Sequence, residues 1–182
     1  MPYLMLKKLP HYECLEALAR QYPELDPSAT DAFLHLLRAA DELFSAREQS
    51  LSTHGISCGR FAVLMQLWDK QNNRPTPQTP AELAEVAGVT RATMTGLVDT
   101  LERDGLVRRE PAPTDRRMMT VHLTEQGREL LARVLPSHFR LAGELLAPLT
   151  EEERRTLVRL LAKILPAQTD PVGLDLASRS LP

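Results

Sequence analysis

Apolar residues recur along most of this chain at helical spacing and alternate at strand spacing in one stretch. Behind Asp26-Pro27, an N-cap residue followed by a proline at the first helical position, Phe33, Leu36, Leu37, Ala40, Leu43 and Phe44 fall three and four residues apart. The spacing predicts a long amphipathic helix. After Gly55, a helix capped by Ser57 is expected from about Gly59 to Lys70, with Phe61, Leu64, Met65 and Trp68 in its repeat. A proline-rich stretch, QNNRPTPQTP, then marks a loop. Pro80 opens a short helix to about Ala87, Gly88-Val89-Thr90 makes a tight turn, and a further helix runs from Arg91 to Asp104 before the stop at Gly105. That order is a helix-turn-helix.

Two strands are predicted next, Leu106 to Glu110 and Met118 to Leu123, the second marked by the alternation of Met119, Val121 and Leu123. Thr124 caps a long helix carrying Leu130, Leu131, Val134, Leu141 and Leu145, in which Pro136 is expected to produce a kink. Thr150-Glu151-Glu152-Glu153 reads as a capping box opening a last helix, with Leu157, Leu160, Leu161 and Ile164, ended by Pro166. The fold class is therefore mainly α with a small β-wing: a winged helix-turn-helix domain plus N- and C-terminal dimerisation helices. The chain divides into an extension over 1–27, with a possible short helix bearing Leu15, Leu18, Ala19 and Tyr22, and a dimerisation helix over 28–54. A winged domain over 55–123, C-terminal dimerisation helices over 124–166 and a tail over 167–182 complete it. A winged domain of roughly 60 residues cannot cover the apolar stripes of the first and last long helices, which need a partner or a fold-back of the chain.

Composition narrows the function. The 182 residues carry a formal net charge of -2, so DNA binding through bulk positive charge is excluded and any such binding must come from a local patch. Two cysteines, Cys14 and Cys58, have no metal or framework spacing, which fits a reducing compartment. With no membrane-length apolar run and no cleavage-site pattern at the start, a cytoplasmic protein without membrane association is expected. No nucleophile elbow, phosphate loop, dinucleotide fingerprint or HExxH occurs and the five histidines stand singly, so neither an enzyme nor a metal or other cofactor is expected.

The helix-turn-helix suggests where a patch would act. Leu83, Val86, Val89, Met94, Leu97, Val98 and Leu101 have the spacing to lock two helices together, with Ala84, Ala87 and Gly88 allowing close approach. The second helix would then present Arg91, Ala92, Thr93, Thr95, Gly96 and Asp99 outward, arginine suiting guanine and the threonines suiting bases or phosphates. Gly96 is unusual, because a glycine within a helix costs roughly 1 kcal/mol relative to alanine. Between the strands, Arg108 to Arg117 holds four arginines against two acids. Arg116 and Arg117 are candidates for a narrow minor groove, with Asp115 able to hold a neighbouring guanidinium.

GVTRATMTGLVDTLERDGLVRREPAPTDRRMMTVHLTEQG resembles the winged region of the MarR family, with Asp115, Arg117, Leu123, Thr124 and Gly127 matching its D-x-R…LT-x-x-G pattern. The likeness extends over about 28–166. It implies a homodimer on a pseudo-palindromic double-stranded DNA operator, the helix from Arg91 in the major groove, an Arg117-bearing wing in the minor groove, and repression of nearby genes released by an effector. Gly96 and Thr100 depart from the family, where basic side chains are common, so the operator preference is not inherited.

The resemblance further implies a small aromatic or anionic effector held where the winged domain meets the dimerisation helices, with His35, Arg38, Arg60, Phe61 and Met65 as candidates by position. Core packing for Phe61 and Met65, and solvated or paired roles for Arg38 and Arg60, are the competing readings. Two other functions stay open: a winged-helix protein-interaction module without DNA binding, and a cysteine-based redox-sensing regulator using Cys14, Cys58 near a helix start being read as a small semi-buried residue.

Overall fold

The computed structural model describes residues 8–69, 74–112 and 118–165. The chain forms two compact units, Met1–Cys58 and Gly59–Pro182. In the first, α1 (Tyr12–Ala19) is followed by α2 (Pro27–Ser52). Asp26 caps α2 by accepting from the Ala29 N–H at 3.0 Å, with Pro27 opening the helix. Gly55, at φ 71°, turns the chain after α2 in the left-handed region that glycine enters without strain.

The next helix, α3 (Cys58–Gln66), stops short of the expected Lys70. Trp68 belongs instead to β1 (Trp68–Asp69), paired antiparallel with β2 (Arg74–Pro75), and the Thr76 N–H donates to the Leu67 carbonyl at 2.9 Å. Cross-strand bonds thus take backbone groups that one more helical turn would have used, and the helical spacing of Trp68 is overridden. The thiol-bearing Cys58 donates its backbone N–H to Glu48 Oε2 at 3.0 Å, so a carboxylate ten residues upstream takes one of the orphan donors of α3.

In the second unit, α4 (Pro80–Ala87), α5 (Arg91–Arg103), the hairpin of β3 (Val107–Pro111) and β4 (Met119–Leu123), α6 (Glu125–Leu145) and α7 (Glu151–Ile164) follow in order. β3 and β4 pair from Val107 opposite Leu123 to Pro111 opposite Met119, and Gln78 adds a bridge to Val121 on the other edge of β4. Leu83, Met94, Val98, Leu101 and Val121 are fully buried and form the centre of the winged region. Val86 and Val89, expected in that interlock, are instead exposed. The buried side of α4 is the Leu83–Ala84 pair, and at 100° per residue Val86 stands about 110° round from the middle of that pair. Gly88 serves the turn rather than close approach: a Cβ there would meet nothing, but its φ of 63° closes α4 in the left-handed conformation.

Gly127 answers a packing demand. A Cβ at this position would lie 2.2 Å from the Leu106 carbonyl oxygen and 2.8 Å from a Leu123 methyl. Thr124 completes the junction, accepting from the Gly127 N–H at 3.1 Å and donating to the Gly105 carbonyl at 2.7 Å. The LT-x-x-G pattern is therefore the place where α6 leaves the hairpin against the Gly105–Leu106 turn that follows α5. α6 continues through Pro136 as one helical element. Its early turns bury Leu130, Leu131 and Val134, whereas α7, despite its capping box at Thr150 and Glu153, has no buried residue.

Candidate nucleic-acid interface

Two caps place the helix-turn-helix. Thr79 and Glu82 form a reciprocal box at the start of α4: the Thr79 N–H donates to Glu82 Oε2 at 2.7 Å and the Glu82 N–H donates to Thr79 Oγ1 at 3.2 Å. These bonds hold the Glu82 carboxyl below the usual carboxylate range. Thr90 caps α5, accepting from the Thr93 N–H at 3.1 Å, with the two threonine hydroxyls 2.9 Å apart. Neither box nor cap was needed to locate the helices from their apolar pattern, but T-x-x-E before an apolar run was a legible signal for the first.

With Met94, Val98 and Leu101 buried and Leu97 half-buried, α5 leaves Arg91, Ala92, Thr93, Thr95, Gly96 and Asp99 exposed on one side. All six residues expected outward on this helix thus share one accessible face. A Cβ on Gly96 would meet no atom within 4 Å. Thr95 Oγ1 donates to the Arg91 carbonyl and Thr100 Oγ1 to the Gly96 carbonyl, each at 2.9 Å. A shallow hollow of about 320 Å³, lined mainly by apolar groups, lies beside Arg91 and Thr95 and is bounded by Pro80, Ala81, Met118 and Met119.

The basic patch of the wing is less free than its sequence suggests. Arg108 Nε donates to Glu110 Oε1 at 2.6 Å, holding that carboxyl below the usual range. Arg109 reaches α5, with Nη1 2.6 Å from Glu102 Oε2 and Nη2 2.6 Å from Asp99 Oδ1, while its backbone N–H donates to Glu102 Oε1 at 2.8 Å. Burial works against the Arg109 charge, but these carboxylates overcome it and raise the guanidinium's affinity for its proton. Sequence reading took these arginines only as members of a positive patch. The wing candidates Asp115, Arg116 and Arg117 lie outside the described residues.

The residues singled out for an effector fall on two helices. On α2, His35 is exposed, with Nδ1 3.2 Å from Asp31 Oδ1, and Arg38 pairs with Glu42. On α3, Arg60 pairs with Asp104, Phe61 is 1% exposed with its ring centroid 4.9 Å from that of His138, and Met65 is half-buried. Cys58 is buried, and burial together with the Glu48 hydrogen bond pushes its thiol up to about 11, away from the thiolate that redox chemistry uses. Cys14 is exposed on α1.

The fold and this face define a winged helix-turn-helix protein. Residues 56–119 match the model of the MarR family. The chain is 33% identical to the HTH-type transcriptional repressor YetL of Bacillus subtilis over 87% of this chain and 93% of that protein. It is similar in structure to a MarR family transcriptional regulator of Streptomyces coelicolor solved in complex with DNA, with TM-score 0.67 and 27% identity over 80% of this chain and 93% of the other. A likeness of TM-score 0.61 and 25% identity, over 71% of this chain and 89% of the other, relates it to BpsR of Bordetella bronchiseptica, whose DNA binding is regulated by 6-hydroxynicotinic acid. The chain belongs to the MarR family of transcriptional regulators. Among the described residues, no helix is long and apolar enough to cross a membrane.

Proposed function

We propose that this protein is a cytoplasmic, non-enzymatic repressor that binds a pseudo-palindromic operator as a homodimer and is released by a small aromatic or anionic effector. The observation that carries the reading is the exposed side of α5, where Arg91, Ala92, Thr93, Thr95 and Gly96 stand together above a fully buried Met94, Val98 and Leu101. Such a helix can enter a major groove without disturbing its own packing. Arg91 offers a guanidinium for guanine. Thr95, its proton given to the Arg91 carbonyl, presents lone pairs that suit the amino group of adenine or cytosine. Asp115, Arg116 and Arg117 are assigned to the minor groove, as the family resemblance implies.

The exposed apolar residues of α2 and α7, among them Phe33, Phe44, Val158 and Ile164, support a second copy as the dimer partner. For the effector, His35 and Arg38 on α2 and Arg60, Phe61 and Met65 on α3 are the assigned residues. A bound anion would have to compete with Glu42 for Arg38 and with Asp104 for Arg60.

The test is selection of bound fragments from random duplex DNA, followed by titration of the enriched site at several salt concentrations. A pseudo-palindrome with half-sites about one helical turn apart, bound with log affinity falling linearly in log salt, is expected. Absence of enrichment would favour a protein-interaction module. In the same assay Arg117→Ala should weaken binding by on the order of tenfold and leave the dimer intact. Unchanged affinity would remove that arginine from the interface.

A further inference from the structure

The register of β3 puts a charge where its alternation calls for an apolar side chain. Val107 is buried opposite Leu123, itself buried, and two residues later Arg109 stands opposite the fully buried Val121. Only 22% of the Arg109 side chain is exposed. Its guanidinium bridges to two acids of α5, and Glu102 alone accepts both Nη1 and the backbone N–H of Arg109. Replacing both partners of a largely desolvated ion pair with apolar side chains of similar volume is often neutral for stability, so folding by itself does not require a charged cluster at this place.

The two acids differ in position. Glu102 is half-buried, whereas Asp99 is exposed, three residues from Gly96 and seven from Ala92, and so belongs to the same side of α5 as the recognition residues. An uncompensated carboxylate on that side would repel the phosphates that line a major groove. We propose that Arg109 is a positioning residue for DNA recognition that acts through Asp99, holding and neutralising this acid so that α5 can approach the duplex. The proposal rests on the DNA-binding reading above and adds to it a residue that touches no DNA.

The experiment is titration of the selected operator with wild-type protein and with Arg109→Met, Arg109→Lys, Asp99→Asn and the double variant Asp99→Asn/Arg109→Met, each first checked for dimer mass and thermal unfolding. Arg109→Met should bind on the order of tenfold more weakly at low salt, and the deficit should shrink as salt screens the exposed acid. The double variant should recover most of that loss, because the charge that Arg109 compensated is gone. Arg109→Lys, which keeps the charge and loses the forked geometry, should stay within about threefold of wild type. Recovery in the double variant separates this role from a structural one, since removing a second partner would not repair a misplaced wing. It also separates it from a direct phosphate contact by Arg109, which Asp99→Asn could not replace.

Failure of the double variant to recover affinity, or wild-type affinity in Arg109→Met, would overturn the proposal. Should Arg109→Met not fold, a loss on the order of tenfold in Arg109→Lys with no gain in Asp99→Asn/Arg109→Lys over it would do the same. If the wild type itself selects no operator, the DNA reading falls and takes this proposal with it; if the wild type binds and the variants fail as stated, only the role of Arg109 falls.

Discussion

α5 and α7 are both amphipathic helices with well-formed N-caps, yet they end up on opposite sides of the line between core and surface. α5 has thirteen residues and buries Met94, Val98 and Leu101; α7 has fourteen and buries none, leaving Leu160 and Ile164 52% and 63% exposed. α2, twice the length of α5, buries only Leu51. Equal patterning with unequal burial means that the winged region closes on itself while the long helices at the two ends do not. The apolar stripe of a helix states a demand for burial, and the chain alone meets that demand around α5. Around α2 and α7 we assign it to the second copy.

The comparison breaks most visibly if the last helix is removed. Deleting residues 151–182 should convert dimers to monomers or aggregates and reduce operator affinity by at least about a hundredfold, because each half-site then binds alone. A well-behaved dimer in ultracentrifugation would contradict the assignment. Next in size is Gly127→Ala, which drives a Cβ against the Leu106 backbone carbonyl. It should cost about 1–3 kcal/mol of stability, the range of an overpacked core, and lower the melting temperature.

Gly96→Ala sharpens the contrast in the other direction. With open space around it, the added methyl should raise stability by about 0.5–1 kcal/mol, while operator affinity drops severalfold as α5 is held off the groove. Improved stability with unchanged affinity would show that the duplex does not approach this point. The smallest effect belongs to the cap of α4. The Glu82 carboxyl is held below its ordinary value of 4.5 in the folded protein, so its contribution is present above that pH and fades as pH falls through the lowered folded value. Glu82→Gln should lower the neutral midpoint slightly and flatten the acid limb of the stability profile, measured by denaturant midpoints across pH, with the two proteins converging at the acid end where Glu82 is protonated. An unaltered limb would mean that this carboxyl titrates alike folded and unfolded.

Much of the framework was readable because its signals are local. Asp26-Pro27, Thr124 and the Thr150 box each act over three or four residues, and all appear where the pattern put them. The face of α5 was readable for the same reason: once Met94, Val98 and Leu101 were assigned inward, the helical period left Arg91, Ala92, Thr93, Thr95 and Gly96 outward. The short α3, the exposure of Val86 and Val89 and the engagement of Arg109 were not readable. Two of these depend on a neighbour supplied by another element, β2 for the end of α3 and the acids of α5 for the arginine, while Val86 lies off the narrow Leu83–Ala84 side of α4 and Val89 in the turn beyond it.

The sequence by itself therefore determined the order of elements, their caps and turns and the exposed side of α5. It did so because helical period, capping and turn chemistry depend on residues within one or two turns of each other. The tertiary structure decided which apolar stripes are covered, why Gly127 has no side chain and which charges beside the exposed side of α5 are already paired. Those outcomes turn on distances between segments far apart in the chain, as when β3 brings Arg109 within 2.6 Å of both Asp99 and Glu102.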